Sequence, residues 1–386
     1  MKYDAGLKKF IFCIMDLKEF YKLIKDILQI DREEENFQSH LETLFGATLE
    51  SCRVIDNDYF KDGADGKAVL LEEIKKVCDG IMECLDLYSR ANLVYCINRM
   101  RELLSHESFC AYRVKEDSLW YRSRMVEGRK RVLKAKDMFH VPFEIVRKVG
   151  NNRFSISGYP CLYLSNSIWA SWEELKEPAM DDFCTSLVKP TTEIELLDLR
   201  FPNTEYKQNL ESVLCTLPLI IACSVEVDYP DDPFKPEYII PQIVMLALVN
   251  HEKYQGCIFT STKKIDNFDW PDTLLCNIAM PVKCVNKTGL CPQLLDSFII
   301  SDSINYKYEV LKCNIVSGRT VSCADIDEMM NEGPNIELTA YEDYKGSIFG
   351  QMEKILKDKR KAYRIEFNVP NAEPMEFEFL TDYPES

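Results

Sequence analysis

Near Ser118 the spacing of apolar residues changes, and that change limits the chain to folds that join a helical part to a sheet. Before it, apolar side chains recur at helical intervals, as in Phe20, Leu23, Ile24 and Leu28, then Leu41, Leu44, Phe45 and Leu49. That interval lines one face of an α-helix with side chains that must be buried. Residues 68–88 and 93–104 repeat it, and the intervening DNDYFKDGADGK is rich in turn formers and reads as a loop. After Ser118, short runs of β-branched and aromatic residues are punctuated by Pro and Gly: LWYRSR, FEIVRKV, CLYL, IELLDL, LPLIIACSVEV, CIFTST and LLCNIAMPV. Helical patches at 167–176 and 240–250 interrupt them. The class expected is α+β: a mixed sheet around residues 113–315, preceded by a helical part over residues 1–112. The remainder, 316–386, is more acidic. It reads as an extension with a helix at 347–360 and a terminal strand pair, YRIEFNV with MEFEFL.

Charge and cysteine usage narrow the function classes. A net charge of -16 argues against general binding to nucleic acid or to an anionic membrane. Against that background, residues 113–148 hold 11 Lys and Arg and 5 Asp and Glu, which fits either one local site for an anion or a solvated lysine-rich face. Sixteen cysteines are scattered without any CxxC, and Cys276, Cys284 and Cys291 lack the paired spacing of a zinc site. Reduced, buried thiols in a cytoplasmic protein are the reading that fits, with no metal. The opening MKYDAGLKKFIFCIMDLKEF has too short an apolar run for a secretory signal, and no segment reaches the length of a membrane span. The longest apolar run, 217–223, reads as a buried strand.

Most catalytic signatures are missing. There is no GxSxG, Walker loop, GxGxxG or HExxH, and only four histidines occur, of which His40 and His106 stand alone in helical segments. Carboxylate, hydroxyl, arginine and tyrosine chemistry remains. The segment RFSISGYPCLYLSNSIWASWEE, from Arg153 to Glu174, concentrates it: an arginine before a Gly-Tyr-Pro turn, a strand carrying Tyr163, and a helix with adjacent carboxylates. A site for an anionic nucleotide whose sugar bond is cleaved needs those groups, although each also has an ordinary structural reading.

Ordered blocks then point to one family. LWYRSR, MFHVPFEIVRKVGNNRFSISGYPCLYLSNSIWASWEEL, EYIIPQIVMLALV, YQGCIFTST and NIAMPV together resemble the larger members of the RES-domain family, over roughly residues 118–315. The family is named for an arginine, a glutamate and a serine. The resemblance puts the arginine at Arg122, with Arg124 as the rival, and the serine at Ser261, with Thr260 and Thr262 as alternatives. The glutamate falls at Glu173 or Glu174, and the spacing from Tyr163 favours Glu174. Further substrate contacts carried over are Arg153, Ser155 (where many relatives have Asn) and Tyr163, with Gly158 making the turn.

What the resemblance implies is an ADP-ribosyltransferase-like fold acting on NAD as substrate, with no separate cofactor. The expected activity is cleavage of the nicotinamide–ribose bond with water or phosphate as acceptor. The alternatives are ADP-ribosylation of a protein target, or a fold that has lost its chemistry and only binds. Arginine's planar fork suits a diphosphate, and a fixed carboxylate stabilises an oxocarbenium-like ribosyl cation. The implied role is that of a bacterial toxin or defence effector. An antitoxin or regulatory protein is then the expected partner, and residues 1–112 the regulatory or partner-binding part.

Overall fold

The computed structural model describes residues 16–32, 36–105, 108–126, 132–202, 210–261, 275–284, 286–309, 341–358, 361–364 and 375–378. In chain order the α-helices of six residues or more are α1 (Leu17–Leu28), α2 (Phe37–Arg53), α3 (Gly63–Ser89), α4 (Leu93–Leu104), α5 (Ile168–Glu174), α6 (Leu210–Ser224), α7 (Ile239–Leu248), α8 (Pro292–Ser297), α9 (Tyr341–Gly346) and α10 (Ile348–Lys357). The strands are β1 (Ala111–Val114), β2 (Trp120–Met125), β3 (Cys161–Ser165), β4 (Phe183–Pro190), β5 (Ile194–Leu199), β6 (Cys257–Thr260), β7 (Cys276–Pro281), β8 (Phe298–Ser301), β9 (Lys361–Arg364) and β10 (Met375–Glu378). The class is α+β, as the change in spacing predicts.

The chain forms two compact units, neither continuous in sequence: one from residues 1–112, 150–157 and 195–262, the other from 113–149, 158–194 and 263–386. The expected three-part division shares only the border after residue 112. Residues 195–262 join the N-terminal helices because α6 and α7 are apolar on nearly every side and must be covered all round. Within that unit α3 packs against α6, and α4 against α7. Its strands β5 and β6 run parallel, with Leu197 opposite Cys257 and Leu199 opposite Phe259.

Two expectations of strand are corrected here. The run 217–223 lies inside helix α6, which even contains Pro218. A helix buried on all faces shows no period, so its sequence resembles a core strand. FEIVRKV forms a 3-10 segment, Phe143–Lys148, with only Phe143 buried.

The second unit is built on antiparallel pairs in the order β7-β3-β2-β4-β8-β9-β10. Arg122 lies opposite Ser186, Arg124 opposite Cys184, and Tyr163 opposite Ala279. Helices α5 and α10 close one layer of its core, where Tyr121, Trp169, Trp172, Phe183, Leu187, Phe349, Met352 and Leu356 are buried together. Trp172 and Phe349 meet with ring centroids 5.3 Å apart. Residues 341–358 are therefore part of this core and not an appendage to it. The terminal strand pair forms as expected, with Met375 opposite Arg364 and Glu378 opposite Lys361.

Candidate functional site

Alternate residues of a strand share a face, so Arg122 and Arg124 project together from β2, and the cross-strand partner Ser186 stands on that face as well. Arg122 Nη1 reaches only the Ser123 carbonyl, at 3.3 Å, while Arg124 Nη2 donates to the Phe139 carbonyl at 2.5 Å. Nε of both arginines and the Ser186 hydroxyl are buried without a hydrogen-bond partner among the described residues. Three such donors on one face are unusual, because buried polar groups are nearly always satisfied.

The electrostatics agree with the geometry. Burial, and then the neighbouring Arg124 charge, lower the Arg122 pKa to about 9, with the Cys161 and Tyr163 side chains acting in the opposite sense. Burial also lowers Arg124, which the Asp137 carboxylate partly offsets. Yet both arginines keep intermediate exposure to solvent. These guanidiniums are poorly hydrated but still reachable, and an anion bound against them would relieve both their desolvation and their mutual repulsion. Tyr163, half-buried on β3, is near enough to influence Arg122. The turn ahead of β3 needs Gly158, whose φ is 82°, a region that other residues enter at a cost.

Helix α5 separates the two glutamates. Ser167 caps it by accepting from the Ala170 amide at 3.0 Å. One turn later Glu173, which is 3% exposed, accepts from Trp169 Nε1 at 2.9 Å. Its carboxylate thus braces the helix from inside. Glu174 is exposed, and its Oε1 accepts from Asn277 Nδ2 at 3.0 Å, while Asn277 Oδ1 accepts from the Ser165 hydroxyl at 2.6 Å. The helix ends at once in two left-handed residues, Lys176 (φ 64°) and Glu177 (φ 54°), each a backbone state that costs a non-glycine residue about 1 kcal/mol.

The remaining expected residues belong to the other unit. Arg153 is occupied there as a clamp: its Nη1 donates to the Cys223 and Val225 carbonyls at 3.0 and 2.9 Å, at the C-terminal end of α6, and its guanidinium lies 5.3 Å from the centre of the Tyr238 ring. A cation at a helix C-terminus satisfies carbonyls that the helix leaves unpaired. Ser155 is buried in a tight turn with Asn152, whose Nδ2 donates to its hydroxyl at 3.4 Å. Ser261 is buried just after β6, and Thr260 Oγ1 accepts from the Phe201 amide at 3.2 Å. Thr262 and His106 lie outside the described residues.

Sequence reasoning assigned nothing to Asn277 or His140. Asn277 had a visible signal, a polar residue opening the apolar NIAMPV run. His140 is fully buried beside the arginines: its Nε2 accepts from the Cys291 amide at 2.8 Å, so Nδ1 holds the proton and donates to the Val141 carbonyl at 2.8 Å. Among the described residues, no cluster of His, Cys, Asp and Glu could hold a metal, and no helix is long and apolar enough to cross a membrane.

Comparison with known proteins finds one informative likeness. The chain is 35% identical over 206 residues to a protein of Bacillus subtilis (strain 168) described as "Putative toxin YopC". The match takes in 48% of this chain and 46% of that protein, so the chain spans less than half the length of that relative. No protein-family model matches the chain, and no solved structure does.

Proposed function

We propose that this chain is a toxin that binds NAD and cleaves its nicotinamide–ribose bond, through a RES-type domain of ADP-ribosyltransferase-like fold. The observation that carries the reading is the set of unsatisfied donors on one face of β2 and β4: Arg122 Nε, Arg124 Nε and the Ser186 hydroxyl. Paired, poorly hydrated guanidiniums with free donors suit a diphosphate better than any neutral ligand. The likeness to the protein described as "Putative toxin YopC", and the RES-like order of the sequence blocks, supply the biological class.

In this reading Arg122 and Arg124 hold the diphosphate, and Tyr163 packs against a flat ring of the substrate. The carbon–nitrogen bond to nicotinamide breaks with its electron pair leaving on the neutral base. The ribosyl cation left behind is stabilised by Glu174, whose carboxylate Asn277 holds in place. Water or phosphate then attacks the cationic carbon. Glu173, sequestered by Trp169, takes no part. Ser261, to which the resemblance gives a hydroxyl that orients ribose or phosphate, belongs to the other unit and is left out of this reading. Arg153 is a structural clamp in this reading. A toxin of this kind needs restraint, so a protein antitoxin completes the proposal.

The test incubates purified protein with NAD and measures free nicotinamide, once in phosphate-free buffer and once in phosphate. Release in either, lost in Glu174→Gln, supports the proposal. No release in both sinks it.

A further inference from the structure

Cys284 and Cys291 lie outside everything assigned so far. Their sulfurs are 3.8 Å apart, and both thiols point at one acceptor, Gln293 Oε1, at 3.0 and 3.2 Å. Among the described cysteines only Cys284 is not buried. Lys283, next to the pair, is close enough for its ammonium to interact with Cys291. Two thiols converging on a shared acceptor, one of them reachable from solvent, need to approach by less than 2 Å or so to reach the disulfide length of about 2.05 Å.

We propose that Cys284 and Cys291 form a reversible dithiol–disulfide site. The oxidant is a low-molecular-weight disulfide such as oxidised glutathione. The Cys284 thiolate attacks it and expels one small thiol. The Cys291 thiolate then attacks Cys284 Sγ and expels the second, so two protein thiols are oxidised as one small disulfide is reduced to two thiols. Burial and the neighbouring Cys291 thiol hold the Cys284 pKa above its ordinary value, so the exchange is faster in alkaline solution.

The loop between the two cysteines also grips the segment behind the arginines. The Gly289 carbonyl accepts from the Phe143 amide at 2.9 Å, the Gly289 amide donates to Glu144 Oε2 at 2.7 Å, and the Cys291 amide donates to His140. Arg124 in turn leans on the Phe139 carbonyl. Closing the disulfide tightens the loop that positions this segment.

The experiment treats reduced full-length protein with oxidised glutathione, alkylates the remaining thiols, and maps tryptic peptides without reduction. Cleavage after Lys287 separates the two cysteines, so only a disulfide can join them. The expected product is the joined peptide pair, two hydrogens lighter than the sum of its parts and released by a thiol reductant. Cys284→Ser should abolish it, and Cys291→Ser should stop at the glutathione adduct on Cys284. Wild-type protein that halts at that adduct, or whose two cysteines are both alkylated, overturns the proposal. Should Cys291→Ser fail to fold, Cys284→Ser gives the same discrimination, because that side chain is partly exposed. Amide exchange across 139–144 should slow in the joined form, and unchanged exchange would overturn the link to the arginines.

Discussion

His140 makes the second unit sensitive to mild acid, and the size of the effect follows from its surroundings. Its Nε2 must stay unprotonated to accept from the Cys291 amide, and the two arginines oppose a third positive charge. Burial first, then Arg124 and Arg122, lower its pKa from 6.5 to about 4, and the bond to the Val141 carbonyl offsets only part of this. The folded-state pKa lies below the unfolded one, so between those values the unfolded chain binds more protons and stability rises with pH. The contribution is complete above 6.5 and is lost as pH falls toward about 4. Fully expressed it is worth about 3 kcal/mol, and lowering the pH from about 7 to about 5 removes about 2 kcal/mol of it. Urea unfolding at both values, on wild type and on His140→Gln, isolates the term. Glutamine can still accept from the Cys291 amide but does not titrate. The difference between the two proteins in pH response should be about 2 kcal/mol. Equal responses would refute the claim that His140 is held neutral.

Four other outcomes are expected. Glu173→Ala removes the carboxylate that accepts from the Trp169 indole N–H in the core and should cost about 1–3 kcal/mol in chemical denaturation. Glu174→Gln should change stability by no more than about 0.5 kcal/mol while lowering nicotinamide release by at least about 100-fold; the reverse pattern would exchange the roles of the two glutamates. Arg153→Ala removes two bonds to carbonyls and a stacked cation, and should cost about 2–3 kcal/mol in the urea midpoint; unchanged stability with a raised KM for NAD would make it a substrate ligand instead. Trp172→Ala opens a cavity against Phe349 and should cost about 3–5 kcal/mol, read as a lowered thermal midpoint.

The amphipathic parts of the chain were legible because one of their faces meets water. The expected helix at 93–104 and strand IELLDL match α4 and β5, and the expected helices at 167–176 and 240–250 lie within two residues of α5 and α7 at each end. Two of the failures share a cause. Helix α6 is buried on every side, so the polar residues that would mark a period are absent. Strand β4 escaped notice because FCTSLVKP carries Thr, Ser and Lys in a strand buried along almost its whole length, where Thr185 pairs with Ser123 at 3.0 Å while the Ser186 hydroxyl stays among the unsatisfied donors. At the site, residue types pointed to the arginines and the glutamate doublet, but not to which glutamate faces solvent. That depends on Trp169 and Asn277, and the second is contributed by a strand 103 residues away in the chain. Arg153 shows the opposite limit, since nothing local reveals that the carbonyls it serves lie 70 and 72 residues downstream.

Helix α10 backs α5: the Glu353 carboxylate accepts from the Ile168 amide at 3.3 Å and from the Tyr344 hydroxyl, and Phe349 covers Trp172. A Cβ on Gly350 would come within 2.4 Å of the Tyr344 carbonyl, so this small assembly tolerates no larger residue at its turn. The consequence is practical. A fragment cut at residue 315, where the sequence texture suggests a natural end, would leave the tryptophans of α5 facing water on one side. The shortest portion of this unit worth expressing must reach past Lys357, and a ligand that pries α10 away would loosen the glutamate helix without touching the arginines.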